Sequence, residues 1–96
     1  MNFDRRYEIR TTHTFDADIK KLDRPIAKRI IEKVEQLAQK PELLRYYLKY
    51  MPDDLADLQK YRVGDWRVLF WVNHEKKELT LYGIEHRSRV YKRFRR

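Results

Sequence analysis

Gly64 is one of only two glycines among 96 residues, and it stands directly before Asp65 between two stretches that alternate apolar and polar residues. No other feature limits the fold as much. A two-residue loop with glycine first suits a type II′ hairpin, because the first loop position needs a positive φ. Such a loop also sets a register: Val63 faces Trp66, Arg62 faces Arg67, Lys60 faces Leu69 and Leu58 faces Trp71. Side chains alternate across a sheet. One face therefore carries Tyr61, Val63, Trp66, Val68, Phe70 and Val72, all able to pack in a core. The other carries Leu58, Lys60, Arg62, Arg67, Leu69 and Trp71.

The remaining elements assemble around this hairpin. Tyr7–Thr12 has the β-branched and aromatic bias of a strand. Phe15, Ile19 and Leu22 fall on one stripe of a short helix, which Thr12 or Thr14 can cap. Asp23-Arg24-Pro25 stops that helix and starts the next, since proline belongs in a first helical turn. Ile30, Ile31, Val34, Leu37 and Ala38 then mark the apolar face of a second helix ending near Pro41. Glu42–Asp54 has no clean period but is too apolar for a linker, and reads as a packed loop. After the hairpin, Glu78–His86 alternates as a further strand, and Ser88 can cap a last helical turn over Arg89–Phe94. The expected fold is α+β: a helical hairpin on a mainly antiparallel sheet, in the order β-α-α-β-β-β-(α). A single domain over residues 1–96 with one modest core is expected.

Charge narrows the function classes. Residues 1–59 hold 12 Lys/Arg against 11 Asp/Glu, whereas residues 60–96 hold 11 against 4. A positive field gathered in one third of the chain favours polyanionic partners, RNA or DNA first. The longest apolar run, Val68–Val72, is far too short to span a membrane, and the first residues have no signal-peptide core. A cytoplasmic protein is expected. Cysteine is absent, no His/Asp/Glu spacing suggests a metal site, and no cofactor is expected.

The cations cluster. Lys60, Arg62 and Arg67 share the face away from the core, with two arginines directly opposed. Like charges in that position repel. The guanidiniums either splay into water or share an external anion, and phosphate matches their paired donors. The anion is the preferred reading.

The stretches "KYRVGDWRVLFWV" and "LTLYGIEHRSRVYKR", with "FDADIKKLDRPIAKRIIEKVEQL" upstream, resemble the RelE/ParE toxin superfamily of bacterial and archaeal toxin–antitoxin systems. The resemblance covers nearly the whole chain and implies a RelE-like fold. For the RelE branch it implies a toxin that enters the ribosomal A site, cuts mRNA there, and is neutralised by a cognate antitoxin. Lys60, Arg62 and Arg67 match basic positions of the family's active face, and Arg87 and Tyr91 match its C-terminal arginine and tyrosine. His86 matches a position where some members have histidine. Leu58 stands where some members carry lysine, and Glu85 where some carry arginine. The ParE branch keeps the fold but inhibits DNA gyrase without cutting RNA, and a degenerate RNA-binding relative is a third reading.

The implied chemistry is metal-independent. A 2′-OH attacks the neighbouring phosphate, leaving a 2′,3′-cyclic phosphate and a 5′-OH. That reaction needs a proton acceptor, charge stabilisation and a proton donor. Arg67 and Arg87 suit the charge. Lys60 and Arg62 suit the RNA backbone, with Lys92 and Arg93 in a basic tail that attracts RNA or antitoxin. His86 and Tyr91 are the candidates for proton transfer. With Leu79 and Leu81 turned to the core, regular alternation sends His86 to the cationic face; a bulge near Gly83 would send Glu85 there instead.

Overall fold

The computed structural model describes residues 6–40, 55–90 and 92. The expected packed loop at 42–54 lies outside the described residues, as do Tyr91, Arg93 and Phe94 of the expected final helical turn. Residues 87–90 form turns.

Strand β1 (Glu8–Thr11) leads into helix α1 (His13–Lys20). Thr12 caps α1, its Oγ1 accepting the Phe15 N–H at 3.2 Å. This satisfies one of the donors that a helix start leaves open. Helix α2 (Arg24–Gln39) starts with Pro25 in its first turn. It buries Ile30, Val34, Leu37 and Ala38. Ile31, expected on that apolar face, is instead 40% exposed. It follows Ile30 by 100° of helical turn, enough to carry it off the buried stripe.

Strands β2 (Gln59–Val63), β3 (Trp66–Asn73) and β4 (Glu78–His86) form an antiparallel meander. β1 adds to β4 in parallel, giving the order β1-β4-β3-β2. The α+β reading holds, with one parallel pair in an otherwise antiparallel sheet. Gly64 has φ +60°, and Asp65 does not share the positive φ, the pattern of a type II′ turn. The pairs Val63–Trp66, Arg62–Arg67 and Lys60–Leu69 occur in the expected register.

The main core lies between helices and sheet. Phe15, Ile30, Val34, Leu37 and Ala38 meet Val63, Val68, Phe70, Leu79, Leu81 and Ile84, with Trp66 and Tyr61 at the margin. The opposite face carries a second, smaller cluster of Leu58, Leu69 and Val90, with Trp71 and Tyr82 packed against it. So the residues after β4 fold back over the outer face. Lys60, Arg62 and Arg67 occupy what remains of that face.

Candidate functional site

Hairpin geometry builds the site. Alternation along β2 and β3 puts Lys60, Arg62 and Arg67 together, and a cavity of about 600 Å³ opens there. Among the described residues Lys60, Tyr61, Arg62 and Arg67 line it. Arg62 is exposed and Lys60 half-buried. Arg67 is only 9% exposed. Its Nη1 donates to the Gly64 and Trp66 carbonyls, each at 2.9 Å. Arg67 thus ties down the turn, and its fixed, partly desolvated charge faces the cavity beside Arg62. Arg67 donates to this backbone as well as facing the cavity, a division of roles that the sequence did not reveal.

Arg87 reaches the same turn from the end of β4. Its backbone N–H donates to the Asp65 carbonyl at 2.8 Å, and its Nε lies 3.7 Å from the Asp65 carboxylate. Both side chains are more than 60% exposed, so the ion pair orients Arg87 without occupying it tightly. Arg29 of α2 closes the other side: its Nη1 lies 3.6 Å from where a Cβ on Gly64 would sit. Arginines from α2, from β3 and from just after β4 therefore surround one turn. Arg29 was missed because its helical position identifies a solvent face and nothing about which loop that face overhangs. Lys92 is exposed.

The expected placement of His86 is corrected. Leu69 faces Gly83 but Phe70 faces Leu81, so Tyr82 is an extra residue on β4. A bulge of this kind reverses the sidedness of every later residue. Ile84 joins the core opposite Val68, Glu85 stands opposite Arg67, and His86 stands opposite Trp66. The imidazole meets the Trp66 ring edge-on, centroids 5.2 Å apart, and its Nδ1 lies 2.9 Å from the Ser88 hydroxyl. Regular alternation failed because burying Ile84 is worth more than an unbroken ladder. The one carboxylate brought to the cationic group from β4 is Glu85.

Two further polar groups have structural surroundings that the sequence did not reveal. Gln59 is fully buried on the core side of β2, and neither of its amide atoms has a hydrogen-bond partner among the described residues. His74 accepts or shares a 2.6 Å hydrogen bond with the Tyr7 hydroxyl, their rings edge-to-face at 5.7 Å.

The family model for the ParE toxin of type II toxin–antitoxin systems (parDE) matches residues 9–91. No curated protein matches the sequence significantly. Among solved structures, the chain is similar to the RelBE2 toxin–antitoxin complex of Mycobacterium tuberculosis, at 25% identity and TM-score 0.72, covering 85% of this chain and 92% of that one. It is similar to the archaeal RelE–RelB complex of Pyrococcus horikoshii, at 21% identity and TM-score 0.67, covering 88% and 99%. A mutant of the E. coli toxin RelE with two arginines replaced by alanine, in complex with a RelB antitoxin peptide, gives 18% identity and TM-score 0.68, covering 95% and 96%.

Proposed function

The chain belongs to the RelE/ParE toxin superfamily, and from that premise we propose that it acts as a RelE-type, ribosome-dependent mRNA endoribonuclease, cytoplasmic and held inactive by a cognate antitoxin. The observation that carries this reading is the 600 Å³ cavity lined by Lys60, Arg62 and the nearly buried Arg67. A guanidinium held in place by backbone carbonyls is a preorganised partner for phosphate, and fixed charge in a desolvated site stabilises a developing phosphorane better than mobile charge in water.

In the proposed reaction the 2′-oxygen bonds to phosphorus, the P–O5′ bond breaks, and the 2′-OH proton is balanced by one delivered to O5′. Arg67 and Arg87 bear the phosphorane charge, while Lys60 and Arg62 hold the backbone. With His86 turned to Trp66, proton transfer rests on Tyr91, assisted by Lys60. Lys92 and Arg93 add attraction for RNA or for the antitoxin. Solved complexes of RelE relatives with RelB antitoxins support an antitoxin partner here. An acidic antitoxin segment over the cationic face would block the cavity.

A second reading is a ParE-type gyrase inhibitor with no reaction of its own. The ParE family match favours it, as does Glu85 in place of a cation opposite Arg67. One experiment separates the two. Purified protein is added to a translating ribosome system and mRNA 5′ ends are mapped, with gyrase supercoiling measured in parallel. Codon-phased cuts that vanish in Arg87→Ala are expected; intact mRNA with blocked supercoiling would establish the second reading instead.

A further inference from the structure

We propose that the outer edge of β1 pairs antiparallel with β1 of a second copy of this chain, centred on Ile9, to form a weak dimer with a continuous eight-stranded sheet. Among the described residues β1 is an edge strand. Glu8 and Thr12 donate inward to the Lys77 and Leu81 carbonyls of the β4 side. Backbone groups alternate in direction along a strand, so Ile9 and Thr11 turn their N–H and C=O outward. Beyond the β1–β4 pairing neither has a backbone partner among the described residues, whereas the Tyr7 N–H ahead of them donates to the Ala38 carbonyl of α2 at 3.0 Å.

Beside this edge runs an apolar groove of about 180 Å³, lined by Ile9, Thr11, Ile31, Val34, Glu35 and Leu81. Ile31 is the exposed large hydrophobic residue among the described residues. An added strand would satisfy the edge and place an apolar side chain in the groove in one step.

Charge selects the occupant. Edge strands are commonly protected by charged residues, but here the signs alternate. In an antiparallel pair centred on Ile9, each Glu8 faces Arg10 of the other copy, and the two Ile9 side chains meet over the groove. Arg10 now pairs at 2.8 Å with Glu78, whose side chain is 21% exposed, and at 3.5 Å with its own Glu8, which is 67% exposed; the Glu8 contact is a surface pair, so giving it up costs little. This register also spares the molecule's own repulsion. β1 lies three strand spacings from β2, about 14 Å, so the two cationic cavities sit at opposite ends of the joined sheet and stay open.

A strand of four residues buries little area, so association is of the transient class. The test is sedimentation velocity over a wide concentration range on the free protein, with thermal melting to show that each variant is folded. The wild type is expected to shift from monomer to dimer. Glu8→Arg and Arg10→Glu each weaken association about tenfold, since two attractive cross-strand pairs become repulsive. The double reversal restores it, and Ile31→Asp weakens it in either background. A wild type monomeric at every concentration would overturn the proposal, as would a dimer indifferent to the single reversals. Protection of the Ile9 and Thr11 amides from exchange only in an antitoxin complex would assign the edge to the antitoxin and overturn it equally.

Discussion

Arg67 and Glu85 stand directly opposite each other across β3 and β4, brought there by the extra residue Tyr82. The carboxylate lies on the face that carries the cations, its Oε1 accepting the His86 N–H at 3.2 Å, and under the proposed function it competes with phosphate for Arg67. Arg67 is almost buried and Glu85 half-buried, and a carboxylate placed opposite a guanidinium at such a partly screened position shifts its affinity for an anion by roughly 0–1 kcal/mol. Glu85→Gln is therefore expected to tighten RNA binding up to about fivefold, measured as affinity for a short RNA at fixed salt. Unchanged binding together with lost cleavage would make Glu85 a proton-transfer group.

Arg67 and Arg62 should separate binding from stability. Arg67 donates to two turn carbonyls at 2.9 Å and is almost buried. Its removal leaves those carbonyls short of a donor. Arg67→Ala is expected to destabilise by about 1.5–3 kcal/mol, the range for hydrogen bonds to charged groups, and to abolish activity. Arg62→Ala, at an exposed position, should lower RNA affinity and reduce its salt dependence while leaving the Tm unchanged. Equal Tm losses in both variants would refute the structural role given to Arg67.

These outcomes show where the sequence was legible. Gly64-Asp65 dictated the hairpin, its register and its two faces, because a positive φ at the first loop residue admits few alternatives. The stripe on α2 was clear for the same kind of reason, with Ile31 lost only at its margin. The bulge at Tyr82 was not legible as an outcome. Alternation by itself offers two solutions for β4, and the choice depends on whether Ile84 or Gly83 fills the space above Val68. That is a tertiary packing matter. The same holds for Arg29 over Gly64, and for Gln59, whose polar side chain sits where pattern asks for an apolar one.

Gln59 offers a stabilising substitution. Two buried amide atoms without partners cost about 1–3 kcal/mol in desolvation. Gln59→Met keeps the length and removes the polar atoms. The Tm is expected to rise by roughly 4–8 °C per kcal/mol gained in a domain of this size. A lower Tm would show that the amide is satisfied in solution.

The bulge itself has a clamp. Asp18 Oδ2 on α1 accepts the Ile84 N–H at 2.9 Å, two residues beyond the extra Tyr82. Where a bulge interrupts the ladder, a buried N–H needs a partner from outside the sheet, and the carboxylate supplies it. Asp18→Ala leaves that N–H unsatisfied beside the buried Ile84 and is expected to cost about 1–3 kcal/mol. Asp18→Asn retains an acceptor oxygen and should cost less. The loss should also be local: amide exchange at Gly83–Glu85 is expected to accelerate more than exchange in α2. Because the bulge decides that Glu85, and not His86, faces Arg67, loosening it blurs that choice. Asp18→Ala should then weaken the effect of Glu85→Gln on RNA affinity, measured as a double-mutant cycle. Strict additivity with uniform exchange would mean that the packing of Ile84 holds the bulge without the carboxylate.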